Sequence, residues 1–278
     1  MKALFDEVSD KCSYITTKAY STSFSLGIRL LDRSIRKPIC AIYGFVRFAD
    51  EIVDTFHDYD KVNLLDRFEE DAYRAIEGKI SLNPILNSFQ HAVNKYEIDH
   101  ALIDSFLKSM RMDLQDHQYD QDTFQQYILG SAEVVGLMCL KVFCLGNQTQ
   151  YDELKSYAMS LGSAFQKVNF LRDLNADFNG LGRSYFPDIN LDQFDNEGKR
   201  SIEESIEKDF HNARIGIMKL PKISKFGVYM AYVYYYSLFK KIKNVKPAHV
   251  INTRIRIPDN QKYAIMLSSY VKYRLNLI

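Results

Sequence analysis

Gln166-Lys167-Val168-Asn169-Phe170-Leu171-Arg172-Asp173-Leu174-Asn175-Ala176-Asp177 is the stretch on which the fold turns. With Leu161 and Phe165 ahead of it, Val168 and Leu171 recur at three- and four-residue intervals, which predicts a helix. On such a helix Gln166, Asn169, Asp173 and Asp177 fall on one face, because residues three or four apart are neighbours across a turn. A row of four polar side chains flanked by apolar ones is unusual for a helix that only separates a core from water.

The same periodicity runs outward in both directions. It predicts helices near 3–19, 36–56, 61–77, 84–95, 99–117, 122–144, 150–178, 200–219, 223–243 and 260–275. Six prolines in 278 residues leave room for long helices. Breaks fall at Gly78 to Pro84, Gly146-Asn147, Asn179 to Gly198 and Lys246 to Pro258. The segment around 179–198 is the longest irregular one, the kind of loop that often forms a lid or site wall. Only Thr253 to Ile257 alternates like a strand. The expectation is an all-α protein with one domain over residues 1–278.

A second acidic pair lies in Arg47-Phe48-Ala49-Asp50-Glu51-Ile52-Val53-Asp54. Asp50 and Asp54 also share a helix face, and like charges at that spacing repel unless a cation or solvent compensates. The lead-in Ile39 to Val46 is strongly apolar, so these acids are expected to point into a cavity. One such pair is common on a solvated helix face and carries little weight. Two pairs in apolar helices, each with an arginine within one turn, suit magnesium held through carboxylates and phosphate oxygens. Arg47 and Arg172 would bind phosphate directly through bidentate contacts.

Two further stretches stand out. Tyr20-Ser21-Thr22-Ser23-Phe24-Ser25 offers hydroxyl donors to phosphate, or a simple helix cap. Tyr127 precedes Gly130, Ala132 and Gly136, whose small size admits either a neighbouring helix or an apolar ligand chain.

Composition narrows the classes. Thirty-six Lys plus Arg against 35 Asp plus Glu give no overall basic excess for nucleic acid. The four cysteines, Cys12, Cys40, Cys139 and Cys144, form no CxxC pair and read as buried thiols in a reducing cytosol. Acids at Asp6 and Glu7 interrupt any secretory signal, so a cytoplasmic location is expected. No apolar run approaches the ~20 residues of a membrane span. Val228 to Phe239, followed by Lys240, Lys241 and Lys243, is a candidate for peripheral membrane contact, or else a core helix with a basic end. There is no Gly-rich phosphate loop ending in Lys-Ser/Thr, no dinucleotide fingerprint and no His-x-x-x-His pair.

From about residue 10 to residue 275 the chain resembles the squalene and phytoene synthase family. The resemblance rests on Asp50 to Asp54, Asp173 to Asp177, Tyr20 to Leu26, the lead-in Ala41 to Arg47, Met110 to Leu114, Tyr127 to Gly136, and Gly162 to Asp177 with Arg183 to Pro187. The wording of the last region is most similar to bacterial phytoene synthases. The resemblance implies an isoprenoid-synthase-type helical bundle with a central cavity. It implies magnesium, or manganese in its place, bridging two prenyl diphosphates to Asp50, Asp54, Asp173 and Asp177, with Asn169 in the same donor set. It further implies Ser21, Ser23, Arg47, Gln166, Asn169 and Arg172 around the diphosphates, and Phe24, Tyr43 and Tyr127 facing the substrates. A C-terminal arginine and tyrosine would also reach diphosphate, with Arg254, Arg256, Tyr235 and Tyr236 as candidates. The implied reaction is head-to-head condensation of two geranylgeranyl diphosphates to phytoene through a cyclopropylcarbinyl diphosphate, without NADPH. Farnesyl diphosphate as substrate, giving dehydrosqualene or squalene, is the alternative the resemblance leaves open. A non-catalytic scaffold would be expected to have eroded acids, and an apolar-ligand carrier would need neither acid pair.

Overall fold

The computed structural model describes the chain except residues 116–119, 182–185, 188–194 and 276–278, and, of side chains, also except 23, 175–181, 259, 260, 263 and 274. The described residues form α-helices and no strand. In order these are α1 (Lys2–Tyr20), α2 (Thr22–Arg29), α3 (Arg33–Asp54), α4 (Lys61–Gly78), α5 (Pro84–Tyr96), α6 (His100–Met112), α7 (Gln121–Ile128), α8 (Val134–Phe143), α9 (Gln148–Leu181), α10 (Asn196–Lys219), α11 (Lys222–Lys243), α12 (Pro247–Asn252) and α13 (Asp259–Arg274).

Local chemistry sets the starts. Asp32, Asp60, Asn83, Asp99, Asp120 and Asp195 each accept a backbone N–H from the first turn of the helix that follows. Each such cap satisfies an N–H that the helix leaves without an internal partner. The Asp32 cap explains why α3 begins before the expected residue 36 and carries Pro38 in its second turn. α2 was not expected from periodicity, being only eight residues long; Ser21 caps it by accepting the Phe24 N–H at 3.1 Å. Thr253 to Ile257 is extended but pairs with no strand among the described residues.

α7 and α8 are joined by one wide π-helical turn, Leu129–Glu133. The joined run, Gln121–Phe143, is long and apolar enough to cross a membrane by length and composition, unlike the shorter runs seen in the sequence. In this structure it packs against α3, α6 and α9. Close approach at that turn needs small residues. A Cβ on Gly130 would lie 2.5 Å from the Ser105 carbonyl oxygen of α6, and one on Gly162 of α9 would lie 2.7 Å from the Ala132 carbonyl oxygen.

The core at the α3 end is aromatic. Phe45 stacks on Phe89 of α5 at 3.9 Å, lies 5.4 Å from Phe68 of α4 and tilts against Phe106 of α6 at 5.6 Å. It is fully buried. α11, whose apolar stretch was a candidate for lipid contact, is instead an internal wall. Val228, Tyr229, Met230, Tyr232, Leu238 and Phe239 are all buried.

Phe45→Ala deletes the ring shared by four helices without touching a polar group. It is expected to cost about 3–5 kcal/mol, the range for emptying a buried aromatic site, read as a lowered midpoint in urea unfolding followed by circular dichroism.

Candidate active site

Six elements, α2, α3, the π turn with α8, α9, α10 and α11, enclose a cavity of about 290 Å³. Its walls are almost wholly apolar. On α9 the lining residues run from Leu154 to Asn169, about 22 Å along the axis at 1.5 Å per residue. Of its polar groups, Tyr43, Gln166 and Asn169 lie on turns of α3 and α9 next to the acids, Tyr235 of α11 stacks beside them on Phe165, and Ser131 and Tyr157 lie elsewhere on the walls. The cavity is therefore a long apolar slot with a polar lip at one end.

α3 supplies one side of the lip. Tyr43, Arg47, Asp50 and Asp54 share a face by their spacing. Arg47 donates to Asp50 at 2.5 Å and, through Nε, to Glu51 at 2.9 Å. Its guanidinium lies 4.4 Å from the centre of the Tyr20 ring, so Tyr20 is the platform on which this arginine rests. Tyr43 stacks on Phe24 at 5.1 Å. Burial pushes its hydroxyl up to about 12, with Arg47 opposing.

α9 supplies the other side. Arg172 donates to Asp173 through Nε at 3.1 Å and Nη2 at 2.5 Å. Arg254, in the extended segment after α12, reaches the same carboxylate at 2.7 Å. Asp173 thus sits between two guanidiniums. The Asn169 Oδ1 is buried and accepts no hydrogen bond among the described residues. Tyr235 of α11 stacks on Phe165 at 4.0 Å. Its hydroxyl is raised by burial, with the Arg172 charge and an Asn169 hydrogen bond opposing. Tyr43 of α3 and Tyr235 of α11 both line the cavity, as do Gln166 and Asn169 of α9, so the helices of the lip border one space.

The expected site residues are thus placed as follows. Phe24, Tyr43, Gln166 and Asn169 line the cavity; Arg47, Asp50, Asp54, Arg172 and Asp173 occupy adjoining turns of α3 and α9. Between the C-terminal candidates the structure separates the two arginines. Arg254 joins Asp173, whereas Arg256 is exposed and its carbonyl accepts from Lys241 at 2.6 Å. Tyr235 lines the cavity, while Tyr236 packs on Phe210 at 5.3 Å. The hydroxyl of Ser21 caps α2, and that of Ser25 donates to the Thr17 and Ser21 carbonyls. Tyr127 does not line the cavity. It is buried against Phe170 and donates to Asp113 at 2.8 Å. Gly130 serves helix packing, and Gly136 faces the cavity. The side chains of Ser23 and Asp177, and residues 183–185, lie outside those described.

The donor set fits a hard divalent cation. Asn169 Oδ1 is an orphaned buried oxygen beside Asp173, and carboxylate and amide oxygens are the ligands magnesium takes. Among the described residues no three His, Cys, Asp or Glu side chains converge. Magnesium commonly uses only one or two carboxylates and completes its shell with phosphate oxygens and water.

One cluster was not read from the sequence. Lys167 donates to Asp209 at 2.7 Å and to Ser205 at 2.8 Å, and Ser163 donates to Asp209 at 2.9 Å. Burial and the Asp209 carboxylate push Glu133, at the end of the π turn, up to about 7, with Lys167 opposing. Its only sequence signal is a lysine on an otherwise apolar helix face.

An all-helical bundle with a long apolar cavity and arginine-clamped acids at its lip defines an isoprenoid-synthase-type protein. The chain matches the squalene/phytoene synthase family over residues 17–261, and it belongs to that family, a family of prenyltransferases. It is 27% identical to phytoene synthase 1, chloroplastic, of Solanum lycopersicum over 86% of this chain and 62% of that protein. It is 27% identical to the 4,4'-diapophytoene synthase of Staphylococcus haemolyticus over 69% of this chain and 65% of that protein. The chain thus spans under two thirds of the length of these curated relatives. In fold it is similar to a dehydrosqualene synthase crystal structure, with TM-score 0.82 at 17% identity over 97% of this chain and 98% of that one. It is also similar to squalene synthase HpnC from Alicyclobacillus acidocaldarius, with TM-score 0.75 at 21% identity over 86% and 94%.

Glu133 gives a test of the electrostatics. A carboxyl raised in the folded state keeps its proton there while the unfolded chain loses it. Stability therefore falls as pH rises from about 4.5 to about 7. Glu133→Gln is expected to flatten that part of the stability–pH curve. At pH 8 the variant should be more stable than the parent by roughly 1–2 kcal/mol, the full shift being reduced because the group is partly solvated, measured as urea midpoints across the range.

Proposed function

We propose that this protein joins two geranylgeranyl diphosphates head to head into phytoene, without NADPH. The observation that carries this is the pairing of two arginine-clamped acidic faces, on α3 and α9, across one end of a single long apolar cavity.

Magnesium, when bound, neutralises diphosphate charge and makes the diphosphate a better leaving group. Asp50 and Asp54 on α3, and Asp173, Asp177 and Asn169 Oδ1 on α9, would hold such ions from the two sides. Arg47, Arg172 and Arg254 now donate to carboxylates. With substrate present they are positioned to take phosphate oxygens instead, the pairing for which guanidinium geometry is best suited. Gln166 adds a neutral donor at the lip.

The first substrate ionises when its C1–O bond breaks and the electron pair leaves with diphosphate. The double bond nearest C1 of the second substrate attacks that allylic cation, and loss of a proton closes a cyclopropane. Departure of the second diphosphate starts a rearrangement, and a second proton loss forms the central double bond of the triene. The stacked Phe24–Tyr43 and Phe165–Tyr235 pairs offer ring faces to these cations. The apolar walls keep out water that would quench them. Tyr43, held protonated up to about 12, serves as a hydrogen-bond donor, and the released diphosphate is the destination of the protons.

The test is a product assay with purified protein, Mg2+, and geranylgeranyl or farnesyl diphosphate, with and without NADPH. A C40 triene from geranylgeranyl diphosphate without NADPH is expected. A C30 product alone would replace the substrate assignment, and no product from either would overturn the reading. Asp50→Ala and Asp173→Ala are each expected to lower kcat at least a hundredfold or so, the scale for losing one preorganised electrostatic group.

A further inference from the structure

The charge of the chain is divided by position. Residues 210–278 carry thirteen lysines and arginines and one acid, Asp259, against twenty-three and thirty-four in the 209 residues before them. A near-neutral protein thus has a strongly basic final quarter. Three of these cations are matched by acids from earlier helices: Lys219 with Glu153, Lys243 with Glu207, and Arg254 with Asp173. Lys222, Lys240, Lys241, Lys246, Arg256 and Lys272 remain exposed.

These residues frame an apolar stripe. Ala264, Leu267, Val271 and Leu275 follow one another at three- and four-residue steps along and just past α13, and all four are exposed. Leu267 is 66%, Val271 47% and Leu275 61% accessible. α13 packs its other side on α11. Tyr270 and Tyr273 meet Phe226 at 5.7 and 4.6 Å, and the Lys262 amine lies 5.8 Å from the Tyr234 ring centre. The two helices therefore run antiparallel. Lys240, Lys241 and Arg256 gather at one end of the pair, and Lys222 and Lys272 at the other.

We infer that the α11–α13 surface docks this protein on an anionic lipid bilayer, with Leu267, Val271 and Leu275 entering the acyl boundary and the flanking lysines and Arg256 at the headgroups. An exposed apolar stripe between clustered cations has the chemistry of an interfacial helix. A second copy of the chain is disfavoured as occupant, because it would set one basic surface against another. The docked helix is not the one that hydropathy suggests. Val228 to Phe239 of α11 is buried, and its Gly227, Val228, Ala231 and Tyr235 line the cavity. Docking would leave one helix, about 10 Å thick, between the cavity and the lipid-facing helix.

The test is flotation of the full chain with phosphatidylcholine vesicles and with equimolar phosphatidylcholine–phosphatidylglycerol vesicles, beside fluorescence of Leu267→Trp. The chain has no tryptophan, so that probe reports residue 267 alone. Flotation is expected only with the anionic vesicles, with a blue-shifted emission on binding and release by high salt. Leu267→Ser combined with Val271→Ser, and separately Lys240→Glu combined with Lys241→Glu, should each lower partitioning roughly tenfold or more. All four positions are exposed, and unchanged thermal unfolding would confirm that the fold persists. Equal binding to neutral vesicles, no binding, insensitivity to either variant, or a stripe variant that changes only dimerisation or RNA binding would overturn the inference.

Discussion

A carboxylate at the lip of an apolar cavity loses much of its hydration, and the site is organised around offsetting that loss. Asp173 is held between Arg172 and Arg254, and Arg47 holds Asp50 and Glu51. Acid pairs four apart on one helix face would otherwise repel one another. The arginines are in turn fixed by their surroundings, Arg47 by the face of Tyr20 and Arg254 by the extended segment that crosses to α9. These cations and carboxylates are matched now, and both are the groups that a diphosphate with its counter-ion would take.

Much of this was legible in the sequence because it repeats at helical spacing. The row Gln166, Asn169, Asp173 and Asp177 and the face Tyr43, Arg47, Asp50 and Asp54 follow from the period of the helix alone, and the first residues of each row do line the cavity. What depends on tertiary register was not legible. Arg254 and Arg256 are two apart in an extended segment, so both fall on the same side, and spacing does not say which of them the chain's path brings against Asp173 of α9. Tyr127 looks like a cavity residue beside its run of small neighbours. The wide turn after it and the Asp113 hydrogen bond place it in the core instead. α2 is too short to show a period and is made by the Ser21 cap.

Periodicity also cannot tell which apolar face remains uncovered. Val228 to Phe239 is the more apolar run, yet it is spent on the cavity wall and the core. The weaker α13 stripe is the one left open. α11 is consequently shared between two surfaces of opposite purpose, with Tyr235 and Ala231 toward the slot and Phe226 and Tyr234 toward α13.

The most direct measurement of the lip is calorimetric binding of an unreactive thiodiphosphate analogue of geranylgeranyl diphosphate, with Mg2+ and with EDTA, to the parent protein and to Asp173→Asn. Binding that requires Mg2+ in the parent and loses most of that requirement in the variant is the result expected if these carboxylates hold the metal–diphosphate group. Binding of equal strength in EDTA, or a variant with the parent's full Mg2+ dependence, would contradict it.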